Sequence, residues 1–159
     1  MHACEFSISS GTIRGITNGQ QGRLVLALHG FLDNAASMAC LAPAMSQFQY
    51  IAIDLPGHGM SNHRAPGAHY NQMDYIQDLH ELVMSEEWQD IVIVGHSMGG
   101  ILASIYSAVF PERVKGIAMI DACGPLTLPP ETSSEQLRAS ILSRMPKPGR
   151  TGSAREVDL

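Results

Sequence analysis

The sequence predicts an α/β domain in which helices flank a mostly parallel sheet. Four short runs rich in Val, Ile and Leu are apolar almost without alternation, which is typical of strands covered on both faces of a parallel sheet. Stretches with helical spacing separate these runs, and a repeat of strand, helix and strand gives parallel strands joined by right-handed crossovers. The 159 residues fit one domain and not two. The four runs are Leu24 to Leu28, Tyr50 to Ile53, Ile91 to Val94 and Gly116 to Ile120.

Two weaker runs, which alternate between apolar and polar residues, precede the first buried strand. They are Cys4 to Ser9 and Thr12 to Thr17, and Ser10-Gly11 separates them. Alternating runs split by a short turn that contains glycine are typical of an antiparallel hairpin. We therefore expect a hairpin at this edge of the sheet.

Three stretches between the strands have helical spacing. Asn71 can cap a helix that ends near Glu87. The stretch from Asn34 to Gln47 contains Pro43, so we expect a broken or restarted helix there. The stretch from Ser97 to Phe110 is the third helix, and a proline follows it directly.

The residues after the fourth strand have a different character. Several prolines interrupt the chain, and Thr132-Ser133-Ser134-Glu135 is a capping-box pattern that predicts the start of a helix. Pro146 to Leu159 has almost no apolar residues, so we expect a disordered tail. We therefore divide the chain into a core (1–124), the start of a separate helical layer (125–145) and the tail (146–159).

Composition and charge exclude several classes of function. Ten Lys and Arg against fifteen Asp and Glu give a net charge of -5 without a basic run, so we expect no nucleic acid partner. The three cysteines form no CxxC pair and the histidines lack zinc-site spacing, so we expect no metal, no cofactor and a reducing cytoplasm. Ile91 to Phe110 has no charged residue over its 20 positions, but its serines and glycines argue against a membrane helix.

The strongest chemical signal lies where the third buried strand ends. The strand runs directly into Gly95-His96-Ser97-Met98-Gly99-Gly100 and then into a helix. A serine at such a sharp turn has a strained backbone that exposes its hydroxyl, and the flanking glycines allow close packing. Ser97 is therefore the predicted nucleophile. The backbone N–H of Met98, at the start of the helix, can point at a developing oxyanion.

A second site follows the first buried strand, at His29-Gly30-Phe31. Acyl transfer needs two donors on the oxyanion, and the loop after this strand commonly supplies one through a backbone N–H. Phe31 is the predicted donor. His29 is equally compatible with a turn residue that is hydrogen-bonded locally, because the backbone is what donates.

A third segment, Asp54-Leu55-Pro56-Gly57-His58-Gly59-Met60-Ser61, also follows a buried strand. Asp54 and His58 are chemically able to act in catalysis. We favour a structural interpretation, with Asp54 as a capping residue and His58 as a turn residue, because the segment has the composition of a tight glycine and proline turn.

In the order and spacing of its motifs, the chain resembles the N-terminal part of an α/β-hydrolase fold protein of the esterase and small-hydrolase type. The resemblance implies hydrolysis of an ester or similar acyl substrate, because related dehalogenases and epoxide hydrolases carry an aspartate where Ser97 stands. It also implies that Asp121 to Met145 is the entry into the family's cap, with Asp121 at a place where some members carry the triad acid. A structural role for Asp121 is the alternative, and we favour it over the role of the acid. The resemblance covers about Leu24 to Gly124, through His29-Gly30-Phe31, the Asp54 to Ser61 turn, the elbow, and Phe110-Pro111-Glu112-Arg113-Val114.

The chain departs from that family pattern in one respect. The family order is Ser, then Asp or Glu, then His, but no histidine follows His96. We therefore expect a truncated copy of a serine hydrolase with low or no activity on its small-molecule substrate. The alternative is a non-catalytic half-fold that binds or dimerises through the open sheet edge after Ile120. Esterase, carbon–carbon bond hydrolase, lactonase and acyltransferase remain open as subclasses.

Overall fold

The computed structural model describes residues 1–124 and 129–144. Residues 1–124 contain one six-stranded sheet. Strand order is β1-β2-β4-β3-β5-β6. β1 pairs antiparallel with β2, and β2 with β4, while the remaining neighbours are parallel. The predicted hairpin and parallel strands are confirmed. The strands are β1 His2–Ile8, β2 Gly11–Thr17, β3 Leu24–Leu28, β4 Gln49–Ile53, β5 Ile91–His96 and β6 Val114–Ile120.

The helices connect these strands as the sequence pattern predicts. The broken helix begins as α1, where the Asn34 side chain accepts from the Ala36 N–H at 2.9 Å. It continues as a 3-10 helix that contains Pro43, because proline lacks the N–H that a regular α-helix needs. The bounds are α1 Ala35–Met38, the 3-10 helix Ala39–Met45, α2 Gln72–Ser85, α3 Met98–Val109 and α4 Pro130–Arg144.

The apolar core lies on both faces of the central strands. Alternate residues of β3 point to opposite faces, so Leu26 joins the cluster under α2 and α3 while Ala27 joins the cluster under α1. On the α1 side, the buried Tyr50 hydroxyl donates to the Met38 carbonyl at 2.7 Å. Burial on both faces explains why the sequence of these strands does not alternate.

The last helix begins earlier than the capping-box pattern predicts. α4 begins at Pro130, and both the N–H and the hydroxyl of Thr132 donate to the Pro129 carbonyl at 3.0 Å. The predicted helix is present, but it begins before Thr132, the residue that the capping-box pattern places at the N-cap. Proline is favoured at the first helical position, because the N–H group that it lacks would have no partner within the helix there.

The chain separates into two compact units, Met1–Leu126 and Thr127–Leu159, and α4 lies in the second. The predicted tail, 146–159, and residues 125–128 and 145 of the predicted helical layer lie outside the described residues.

The edge strand β6 differs from the interior strands in its exposure. Ile117, Met119 and Ile120 are 36%, 40% and 41% exposed, whereas every residue of β3 is buried. Ile91 to Phe110, the uncharged stretch, divides between β5 and α3. Within 1–124 and 129–144, no helix combines the length and the apolar character that a membrane span requires.

Candidate active site

Ser97 occupies a strained turn between β5 and α3. Its φ is 49° and its ψ is -114°, a combination that residues with a side chain rarely adopt. Its N–H donates to the Ile120 carbonyl at 3.0 Å, and its carbonyl accepts from Gly100 and Ile101 in the first turn of α3. The Ser97 hydroxyl makes no hydrogen bond to any residue that the structure describes. The backbone is fixed by the sheet and the helix, and the hydroxyl is left available.

The predicted flanking glycines are required by the close approach of three backbone segments. A Cβ at Gly95 would overlap the backbone of Gly99, and a Cβ at Gly99 would overlap the carbonyl of Leu28 in β3. The start of α3 therefore packs directly against the ends of β5 and β3. A side chain at either position would push the helix away and move Ser97.

The loop after β3 lies against Ser97. A Cβ built on Gly30 would be 3.5 Å from the Ser97 Cβ and 3.0 Å from Nδ1 of His96. Neither the Phe31 N–H nor the Met98 N–H donates to another of the described residues. Two backbone donors without partners thus belong to the two segments that meet at Ser97, as an oxyanion site would need.

His29 fixes this loop to the turn after β4. The ring is fully buried, and its Nε2 accepts from the Leu55 N–H at 3.0 Å. Its Nδ1 therefore carries the proton and donates to the Gly30 carbonyl at 2.7 Å. Burial lowers the pKa of His29 below its usual value of 6.5. A neutral ring with both nitrogens occupied is a structural cross-link, in agreement with the local hydrogen-bonding role considered from the sequence.

Asp54 is also occupied by structural hydrogen bonds. Its two carboxylate oxygens accept from the Ala35 N–H at 2.6 Å and from the Met60 N–H at 2.8 Å. Its carbonyl accepts from the Ser61 hydroxyl at 2.6 Å. The residue is 95% buried, and its carboxylate joins the start of α1 to the turn, which supports the capping interpretation.

None of the hydrogen bonds made by histidines in the described part of the chain reaches Ser97. His58 lies against the Pro56 carbonyl, His63 against the Tyr70 hydroxyl and His80 against the Tyr106 hydroxyl. Asp121 follows the carboxyl end of β6, as Ser97 follows that of β5. Its φ is 50° and it is exposed. Asp121 makes no hydrogen bond to a histidine among the residues that the structure describes, so its role as the acid stays a prediction.

Sequence reasoning missed a cleft next to the Gly30 loop. We call it the aromatic cleft; it has a volume of about 200 Å³ and is lined by Phe31, Leu32, Gly57, His58, His63, Tyr70 and Tyr75. A buried ion pair between Arg64 and Asp78 lies beside it. Its residues come from three segments of the chain without any periodic spacing, so the only signal in the sequence is the richness of the 57–75 segment in His and Tyr.

A larger cavity, of about 740 Å³, lies between the hairpin and the start of α1. None of the predicted site residues lines it, and we do not connect it with Ser97 chemistry. Across 1–124 and 129–144, no cluster of three or more His, Cys, Asp or Glu side chains is arranged to hold a metal ion.

Comparisons with known proteins identify the family. The family model described as alpha/beta hydrolase fold matches residues 23–149. A serine hydrolase-like protein of Danio rerio is 40% identical over 116 residues, which are 72% of this chain and 36% of that protein.

Two solved structures are similar as well. A hypothetical protein from Pseudomonas aeruginosa PAO1 has a TM-score of 0.83 and 33% identity, covering 90% of this chain and 51% of its own. The thioesterase domain from the curacin biosynthetic pathway has a TM-score of 0.77 and 25% identity, covering 92% and 53%. The chain thus spans between about a third and about half of the length of these relatives. With this sheet order, this strand-to-helix elbow and these matches, the chain belongs to the α/β-hydrolase fold family.

Proposed function

We propose that the chain carries the nucleophile of a serine hydrolase that acts on a carboxylic ester or a similar small acyl substrate. The observation that carries the proposal is a Ser97 hydroxyl on a strained elbow, in company with the Phe31 and Met98 N–H groups, all three without a hydrogen-bond partner among the residues described. The names of the relatives support it, since one is called serine hydrolase-like and another is a thioesterase domain.

In the proposed reaction, Ser97 Oγ attacks the carbonyl carbon of the ester. A base takes the hydroxyl proton as the Oγ–C bond forms, and the N–H groups of Phe31 and Met98 donate to the resulting oxyanion. The bond from carbon to the leaving oxygen then breaks, and the alcohol leaves with the proton from the base. Water hydrolyses the acylated serine by the same steps in reverse order.

The proton acceptor is the part of this mechanism for which we propose no residue within 1–124 and 129–144. No histidine follows His96, and the hydrogen bonds of the described histidines lead elsewhere. Removing the base of a serine hydrolase typically lowers kcat on the order of 10⁶, while the oxyanion donors and binding retain about 10³ to 10⁴ over water. We therefore expect slow turnover by these residues alone, and we keep Asp121 as the proposed acid.

Free imidazole can substitute for a missing base, so it provides the test. We expect imidazole to accelerate p-nitrophenyl acetate hydrolysis by the chain beyond its effect in buffer, and Ser97→Ala to abolish that acceleration. Ser104→Ala is the matched control, because the Ser104 hydroxyl donates to the Ile101 carbonyl at 2.8 Å within α3. An acceleration that survives in Ser97→Ala contradicts the proposal.

A second candidate is a non-catalytic role in which two copies associate through β6. The exposed apolar residues Ile117, Met119 and Ile120 on the edge strand favour it, since such edges readily pair with another strand. Light scattering of the purified chain tests it: a dimer that Ile117→Lys converts to monomer supports the candidate, and a monomer at all concentrations contradicts it.

We also propose a cytoplasmic location. Cys4, Cys40 and Cys123 are all free thiols, as expected in a reducing compartment. Alkylation of the protein in lysed source cells tests this, because a disulfide between any two of the cysteines would block their modification.

A further inference from the structure

The walls of the aromatic cleft are rings that pack edge-on or tilted against one another. The centroid of His58 lies 6.1 Å from that of Phe31 and 6.4 Å from that of Tyr75, and those of Tyr70 and Tyr75 are 6.2 Å apart. Aromatic rings prefer tilted or edge-to-face contacts at such separations. The lining therefore favours a planar aromatic guest over a flexible aliphatic one.

Buried electrostatic contacts hold these walls in place. The Arg64 guanidinium pairs with Asp78, and their side chains are 11% and 6% exposed. The same guanidinium lies 5.4 Å and 5.7 Å from the ring centroids of Tyr70 and Tyr75. The Tyr70 hydroxyl accepts from the Arg64 N–H at 2.8 Å. Walls fixed before binding spare a ligand the cost of ordering them.

One polar atom of the cleft is left without a partner. His58 Nδ1 lies 3.3 Å from the Pro56 carbonyl, which can only accept, so Nδ1 carries a proton in this contact. Nε2 is then an acceptor; it is buried and has no hydrogen-bond partner among the residues described. A buried acceptor without a donor is costly, so a bound group that offers a hydroxyl would be favoured here.

The cleft adjoins the predicted catalytic centre. Phe31 lines the cleft with its side chain and carries one of the two predicted oxyanion donors on its backbone. The neighbouring Gly30 lies against Ser97. A ring bound in the cleft is therefore next to the position that an ester carbonyl would occupy.

We propose that the aromatic cleft binds one hydroxyl-bearing aromatic ring of the substrate, with the ring hydroxyl donating to Nε2 of His58. The volume fits, because an apolar cavity of about 150 Å³ already holds benzene and the cleft has about 200 Å³. Its role as a substrate subsite rests on the proposed hydrolase function.

Direct binding tests the proposal without any catalysis. We would titrate the Ser97→Ala chain with phenol, benzene and cyclohexanol and follow its backbone amides by NMR. We expect phenol to bind about three- to tenfold more tightly than benzene, which matches one additional hydrogen bond, and more tightly than cyclohexanol. The amides of Phe31 and Tyr75 should shift. Equal affinity for phenol and benzene, or shifts only elsewhere, overturns the proposal.

Variants separate the ring contacts from the hydrogen bond. His58→Phe should reduce phenol affinity to that of benzene and leave benzene affinity unchanged, while His69→Phe, an exposed histidine outside the cleft, should change neither. Leu32→Trp, at a rim position that is 80% exposed, should block both ligands, and it provides the test if His58→Phe does not fold. An unchanged preference for phenol in His58→Phe, or unchanged binding in Leu32→Trp, contradicts the proposal.

The two proposals fail separately. If the chain does not bind phenol but shows imidazole-dependent esterase activity, only the proposal for the aromatic cleft is wrong. Phenol binding without Ser97-dependent activity leaves a hydroxyaryl site but overturns its role as a substrate subsite.

Discussion

Ser97 and Asp54 stand in similar sequence settings and have opposite structural roles. Each follows a buried parallel strand and is close to glycines in a tight turn. The Asp54 carboxylate accepts two backbone N–H groups and is buried, so its hydrogen-bonding capacity is used to hold the fold. The Ser97 hydroxyl has no such partner in the part of the chain that the structure describes, and the Ser97 backbone is strained.

The difference shows how a structural polar residue is told from a functional one. Buried polar groups in folded proteins are normally paired, and strain persists only where the surrounding structure enforces it. Asp54 obeys the first rule and contributes to stability. Ser97 carries a stability cost that is consistent with selection for chemistry.

The largest effect on stability is expected at the elbow glycines. Gly99→Ala should lower the free energy of unfolding by about 3 kcal/mol or more, because the new methyl group would overlap the Leu28 carbonyl, which is backbone and cannot rotate away. Gly116→Ala is the matched control, since nothing lies within 4 Å of its Cβ position. Urea unfolding measures both. Equal destabilisation by the two variants would show that the elbow is not tightly packed.

Asp54→Ala tests the structural side of the comparison. It removes the acceptor of the buried Ala35 N–H and of the Met60 N–H, so we expect a loss of about 2 to 3 kcal/mol of unfolding free energy. The exposed Glu86→Ala should change the unfolding free energy by less than about 0.5 kcal/mol. If Asp54→Ala is as stable as the parent, the carboxylate is not the anchor of the turn.

Ser97→Gly tests the functional side. Glycine adopts a positive φ without strain, so this variant should unfold at a higher denaturant concentration than the parent, with a gain of about 1 kcal/mol. Ser97→Ala keeps the strain and should differ little from the parent. A Ser97→Gly variant that is less stable than Ser97→Ala would argue that the turn is not strained.

The smallest expected effect concerns pH and His29. Because burial lowers the pKa of His29, the unfolded chain binds a proton more readily than the folded one, and stability falls as the pH drops below 6.5, the usual histidine value. Unfolding curves between neutral and mildly acidic pH should show this loss. His29→Asn, which does not titrate, should be less stable at neutral pH and lose less on acidification. The same acid sensitivity in His29→Asn would assign it to other groups.

The secondary structure and the elbow could be predicted from the local sequence. The hydrogen-bond and ion-pair partners of the buried polar side chains could not. Apolar runs locate the interior strands, and Gly95-His96-Ser97-Met98-Gly99 predicts the turn, since only small residues allow that packing. The partners of His29 are separated from it by up to 26 positions, and the Arg64 to Asp78 pair joins a loop to α2. Contacts of this kind depend on how the elements pack, which spacing along the chain does not encode.

The most direct test of the account is to react the folded chain with a fluorophosphonate probe, with and without imidazole, and to map the adduct by mass spectrometry. The free hydroxyl at the elbow predicts an imidazole-accelerated adduct on the peptide that carries Ser97, and none in Ser97→Ala. An adduct spread over other serines, or no adduct at Ser97 at any imidazole concentration, would contradict the claim that this serine is the nucleophile.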